Sequence, residues 1–210
     1  QRNNTAIGSY ALRENSSGSS NTAVGVYALQ NNTTGYGNIA VGNSALQKAT
    51  TAAYNLAVGL NALKNTTGNF NVGIGNNTLM ANTGGGTNIA IGYQALEKAS
   101  GTGSTAIGVG ALQNVTSGGL NIAIGNSAGN ALTGTEFQNI YIGNNGVKDE
   151  NATIRLGDNL QSACFISGIH GITSDGGTGV FINSNGQLGT TLSSRRYKND
   201  INDLGTRSTA

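Results

Sequence analysis

The stretch Asn88-Ile89-Ala90-Ile91-Gly92-Tyr93-Gln94-Ala95-Leu96 decides the architecture, because its pattern recurs along most of the chain. A glycine preceded by Ile or Val appears at Gly8, Gly25, Gly42, Gly59, Gly75, Gly92, Gly108, Gly125 and Gly143. Successive steps are 17, 17, 17, 16, 17, 16, 17 and 18 residues. Four residues after the glycine stands a leucine: Leu12, Leu29, Leu46, Leu63, Leu79, Leu96 and Leu112. A period near 17 held over nine copies identifies a solenoid, in which each repeat is one turn that stacks on the next.

Within one rung, Asn88-Ile89-Ala90-Ile91 alternates, so Ile89 and Ile91 face one side of a short strand and Ala90 the other. Gly92 then frees the backbone to turn where a Cβ would obstruct it. The Gln94–Lys98 stretch suits a second extended piece or a single helical turn. A turn around Gly101 returns the chain to the next rung. Nine rungs spaced by about 4.8 Å predict a rod roughly 40 Å long. The expected fold is all-β: a β-roll-like solenoid of about nine rungs over residues 1–145, then a non-repetitive β neck over 146–192.

Ordering one rung costs far more backbone entropy than burying one Ile and one Leu returns. Neighbouring rungs and lateral partners must supply the rest. The expectation is therefore a side-by-side or intertwined homotrimer, with the Leu column turned toward the other chains.

Composition agrees with an ordered repeat. The 210 residues include 34 glycines and no proline or tryptophan, with 10% charged residues and net charge +2. Disordered chains have the reverse, high net charge and few β-branched residues. Between Asn15 and Thr135 the only acid is Glu97 and the only bases are Lys48, Lys64 and Lys98. The repeats thus offer no basic stripe to a phosphate backbone, which argues against nucleic acid as a partner. Four bases, Arg195, Arg196, Lys198 and Arg207, crowd the tail. No apolar run approaches the roughly 18 residues of a membrane span, so no membrane insertion is expected. No signal peptide is visible, and a start at Gln1 rather than Met suggests that an upstream part was removed.

Chemistry-bearing motifs are sparse. There is no GxGxxG and no GxxxxGK(S/T), and the nine acids supply no repeated calcium loop. Neither a cofactor nor a metal is expected. Cys164 cannot form a disulfide within the chain. Cys164 and His170, in Cys-Phe-Ile-Ser-Gly-Ile-His, read as packing residues of a strand-like stretch, because nothing orients the imidazole toward the thiol. Asp149, Glu150 and Asp158 form the one carboxylate cluster and read as exposed loop charge. The Asn column (Asn21, Asn38, Asn55, Asn71, Asn88, Asn121, Asn139) reads as a hydrogen-bonded ladder or turn column. Its alternative is a flat polar array that recognises a ligand or ice.

After Asn144 the period breaks. Val180-Phe181-Ile182-Asn183-Ser184-Asn185-Gly186-Gln187-Leu188-Gly189 predicts short strands about a tight Asn-Gly turn. Then follows Ser193-Ser194-Arg195-Arg196-Tyr197-Lys198-Asn199-Asp200-Ile201, which resembles the start of the endosialidase-type intramolecular chaperone found at the C-termini of phage tail fibres and tailspikes. The resemblance implies a trimer and a single self-cleavage. By that resemblance Ser193 is the nucleophile and Lys198 its partner, with cutting between Ser193 and Ser194. Residues 193–210 match only the beginning of such a domain, so no self-cleavage is expected of this stretch alone. The repeats are similar to the β-roll heads of trimeric autotransporter adhesins, with a longer rung.

Together these readings point to a structural fibre or shaft of an extracellular, cell-surface or virion appendage, not a metabolic enzyme. The alternative is an adhesin whose repeats bind a receptor or glycan directly, and an ice-binding solenoid is more remote.

Overall fold

The computed structural model describes residues 3–167 and 179–190. Two compact units are present, residues 1–162 and 163–210. Among the described residues the structure is all β, with no helix.

The first unit is a parallel β-solenoid. Its ten three-residue strands are β1 (Thr5–Ile7), β2 (Thr22–Val24), β3 (Ile39–Val41), β4 (Leu56–Val58), β5 (Val72–Ile74), β6 (Ile89–Ile91), β7 (Thr105–Ile107), β8 (Ile122–Ile124), β9 (Ile140–Ile142) and β10 (Ile154–Leu156). Each pairs with the next in chain order, so the sheet has no crossover. Register is strict: Ile89 lies beside Thr105, Ala90 beside Ala106 and Ile91 beside Ile107. The tenth strand joins by Ile154–Leu156 pairing with Ile140–Ile142, one rung beyond the nine counted from the glycines.

Hydrogen bonding between rungs continues well outside the strands. Leu96 N–H donates to the Ala111 carbonyl at 3.0 Å and Gln94 N–H to Asn76 at 3.0 Å. Turns within a rung are closed by short-range bonds, Ala95 N–H to Gly92 at 3.3 Å and Ala99 N–H to Leu96 at 3.1 Å. The Gln94–Lys98 segment is thus a chain of tight turns rather than a helix or strand. Gln94 and Leu96 both have left-handed backbone, at φ 57° and 51°. The same conformation recurs at Leu12, Leu29, Leu46, Leu63, Leu79 and Leu112. Left-handed backbone costs an L-residue roughly 1–2 kcal/mol, so the Leu side chain must compensate by burial.

It does, and inside its own chain. Leu29, Leu46, Leu63, Leu79, Leu96 and Leu112 are fully buried within one solenoid. This corrects the expectation that the Leu column faces other chains. Most rungs place a small strand residue inside (Ala23, Ala40, Ala57, Ala90, Ala106, Ala123) and set a large side chain from the opposite turn against it. The β-branched strand residues point outward instead.

The repeat glycines are required by rung stacking. Gly92 has φ 128°, and a Cβ there would lie 2.5 Å from the Gly108 carbonyl oxygen. Gly25, Gly42, Gly59 and Gly108 make the same close approach to the rung above. Backbone meets backbone at these points, and no side-chain movement could make room.

The Asn column forms an interior ladder. Asn55 Oδ1 accepts from Asn71 N–H at 2.9 Å, and Asn55 Nδ2 donates to the Gly68 carbonyl at 3.0 Å. Asn38, Asn71 and Asn88 repeat this arrangement, and all are buried. The ladder satisfies turn amides that the strand pairing leaves free. It presents no exposed polar array.

In the second unit, β11 (Phe181–Ile182) and β12 (Leu188–Gly189) form an antiparallel hairpin. Gly186 has φ 76° and donates its N–H to Asn183 at 2.9 Å, so the Asn185-Gly186 turn stands where the sequence places it. Ser193, Lys198 and His170 lie outside the described residues.

Candidate functional site

Two features of the solenoid stand apart from rung-building: its outer sheet face and its C-terminal cap.

The outer face is made by the first and third residues of each strand. These twenty positions hold seventeen Ile, Val or Leu and three Thr (Thr5, Thr22 and Thr105), with no charge in either column. Ile7, Ile39, Val41, Ile74, Ile89, Ile91, Ile107, Ile122, Ile124, Ile142, Ile154 and Leu156 are all between 36% and 65% exposed. Alternation did place Ile89 and Ile91 on the face opposite Ala90. The side facing water is the larger apolar one. Immediately after the glycine, Val26, Leu60, Tyr93 and Val109 are also exposed. Charges of the repeats are kept elsewhere. Arg13, Glu14, Lys48, Lys64, Glu97 and Lys98 all follow the Leu column by one or two residues.

Aromatic side chains in the turns stack from rung to rung. The Tyr10 and Tyr27 rings stack nearly parallel with centroids 5.3 Å apart, and Tyr54 stacks on Phe70 at 5.2 Å. Tyr36 meets Tyr54 edge-on at 5.0 Å. The spacing of rungs is close to the optimum for offset stacking.

The cap begins where the Leu column stops. Gly129 replaces the expected Leu, and Tyr141 replaces Ala on β9, in register with Ala123. The two changes compensate. A Cβ on Gly129 would lie 2.6 Å from Leu112 Cδ2 and 3.1 Å from the Tyr141 ring, so the fully buried tyrosine occupies the space a Leu would fill. Tyr141 Oη donates to Glu150 Oε1 at 2.8 Å. Arg155, beside Tyr141 on β10, grips Glu150 through Nε at 2.9 and 3.0 Å and through Nη2 at 2.8 Å. Val147 N–H adds a further bond to Glu150 at 2.9 Å. The carboxylate thus links three elements, and its side chain is 13% exposed. Glu150 is therefore not the exposed loop charge that the sequence suggested.

Electrostatics at the cap follow from these contacts. Burial pushes the Glu150 carboxyl upward, but the bonds from Arg155, Tyr141 and Val147 outweigh it and hold the carboxyl below its usual range. Burial and the neighbouring carboxylate push the Tyr141 hydroxyl well above its ordinary value, so it stays a donor. Glu136 sits beside the cap. Burial again acts upward, and the backbone N–H groups of Glu136, Gly134, Thr133 and Asp149 prevail and lower its carboxyl. The paired breaks at Gly129 and Tyr141 were the available sequence signal for this cap.

Among the described residues no group of three His, Cys, Asp or Glu side chains gathers as a metal site. Among them, too, no helix is long and apolar enough to cross a membrane. Cys164 is exposed. Asp149 and Asp158 do not join the Glu150–Arg155 pair. No protein-family model, no curated protein and no solved structure matches the chain.

Proposed function

We propose that the chain is a structural shaft segment of a homotrimeric fibre, tail-fibre-like or part of a cell-surface appendage, and not an enzyme of metabolism. The observation that carries the reading is the unbroken ten-strand parallel sheet whose outer face bears no charge. Parallel sheets are almost always covered on both faces, and a stacked rod with an uncovered apolar side suits lateral assembly. The resemblance of residues 193–201 to a trimerising chaperone supports the same reading from sequence. In it, a longer precursor matures by cutting between Ser193 and Ser194, with Lys198 activating the serine, and functions outside the cell or on a virion.

Light scattering of the chain tests the assembly. A mass three times the 21.1 kDa of one chain is expected, and a stable monomer would count against the shaft. In a precursor extended beyond Ala210, Ser193→Ala should abolish release of the C-terminal part. An uncut wild-type precursor would remove the maturation step.

A second reading, direct binding of a receptor or glycan by the repeats, draws on the exposed Tyr36, Tyr54 and Phe70 ladder. Binding by the chain that is lost in Tyr54→Ala and Phe70→Ala would favour it.

A further inference from the structure

We infer that the Ile/Val face of the parallel sheet, not the Leu column, is the surface through which copies of this chain join. The inference rests on the homo-oligomeric reading above and assigns its contact face.

The face is sized for the purpose. Three residues of strand span about 10 Å and ten rungs about 43 Å, which gives roughly 430 Å² in projection before the relief of the side chains is counted. The largest apolar patch on a typical single chain is of that order and is often functional, and a standard interface takes roughly 800 Å² of accessible surface from each partner. Adding the Val26, Leu60, Tyr93 and Val109 column widens the strip to about 13 Å, or roughly 570 Å². The C-terminal unit has the same need independently. Its two-stranded hairpin leaves Phe181, Ile182 and Leu188 exposed, and two strands alone are marginal in water.

The occupant is identified by periodicity. The strip repeats at every rung for its whole length, with side chains standing at the spacing of neighbouring strands. A surface complementary over ten rungs must carry that same spacing, and another copy of this sheet supplies it without adjustment. Charge sorting agrees. Every charge of the repeats between Arg13 and Lys98 lies just past the Leu column, so copies meeting through their strands bury none of them. Isologous or cyclic contact of this kind also closes, which limits growth into unbounded sheets.

The test uses the full chain in two forms. In the first, Ile74→Lys, Ile107→Lys and Ile142→Lys are combined, each two rungs from the next and each on an already exposed side chain. Mass should fall to that of one chain while the β-type circular dichroism is retained. In the second, Cys164→Ser removes the native thiol, and Ile91→Cys or Lys98→Cys is added before mild oxidation with copper-phenanthroline. Ile91→Cys should give covalent dimers on a non-reducing gel, and Lys98→Cys should remain single. If the wild type is oligomeric, overturning results are an oligomeric lysine variant or cross-linking at Lys98→Cys in place of Ile91→Cys. Either would leave the fibre reading standing with a different face. A monomeric wild type would overturn both. Should the lysine variant lose its circular dichroism, the cross-linking pair decides alone.

Discussion

Replacing Leu96 separates the interior role of the Leu column from an inter-chain one, and it tests the left-handed backbone at the same time. Leu96 is fully buried and belongs to the same column as Leu79 and Leu112. Rung-to-rung bonds on both sides, Leu79 N–H to Ala95 and Leu96 N–H to Ala111, prevent the walls from collapsing into a cavity. Leu96→Ala should therefore fall in the upper part of the range for such truncations, about 4 kcal/mol. Leu96→Gly removes one further carbon, about 0.8 kcal/mol, and gives the unfolded chain more freedom, about 0.4–1 kcal/mol. Against this it relieves the φ of 51°, about 1–2 kcal/mol. These terms nearly cancel, so the Gly and Ala variants should agree within about 1 kcal/mol. At Ala90, also buried but in ordinary strand conformation, the change to Gly should cost about 1.5 kcal/mol. Urea denaturation followed by circular dichroism at one fixed protein concentration measures all three. A Leu96→Gly variant that falls as far below Leu96→Ala as Ala90→Gly falls below the wild type, about 1.5 kcal/mol, would refute the left-handed geometry. If Leu96→Ala dissociated the oligomer without destabilising the folded chain, the column would belong to an interface after all.

Two further predictions address the rung contacts and the cap. Gly92→Ala should cost about 3 kcal/mol or prevent folding, because its Cβ would strike the Gly108 carbonyl; Gly84→Ala, with nothing within 4 Å, should be neutral or slightly stabilising, and equal losses at both sites would contradict the stacking. The Glu136 and Glu150 carboxyls are both lowered in the folded chain, so their stabilisation is present above the ordinary carboxylate range and disappears as pH falls through their lowered values. Thermal midpoints should hold between about pH 5 and 8 and drop below about pH 4, and Glu150→Gln should lower the neutral midpoint while flattening the acid limb; an unchanged acid limb would mean that the cap is not the acid-sensitive element.

The period, the strand positions and the glycine turns were legible because each rests on a local rule: alternation, or a missing Cβ. Which side of the strand is inside was not. Hydrophobicity alone favours burying Ile89 and Ile91, and the structure buries Ala90. The deciding quantity is the rung's internal width, which depends on the facing turn and on left-handed leucines that no propensity rule would place there. The same blindness put the Leu column on a shared axis. The cap was hidden for another reason. Gly129 and Tyr141 each look like a lapse in the repeat, and only their contact shows that one fills the space the other vacates. The Asn ladder was readable as a hydrogen-bonded column, since a recurring amide beside a turn has backbone groups to satisfy.

This division of side chains has a mechanical consequence. Ala, Leu and Asn inside each rung act only between neighbouring rungs of one chain, so they set whether the solenoid forms. Ile and Val outside leave a third or more of their surface in water at most rungs, so part of their contribution waits until another surface covers them. A fibre benefits from that separation. Interior substitutions change the folding of a protomer, and exterior ones change its association, with limited coupling between the two. The three threonines in the outer columns fit the same logic. Thr5, Thr22 and Thr105 keep the β-branched shape that strands favour while lowering the apolar content at their rungs, chiefly toward the N-terminal end. Association should therefore be strongest along β3 to β6 and β8 to β10, where both outer positions are aliphatic. Substitutions there should loosen the assembly more than the same change beside Thr22.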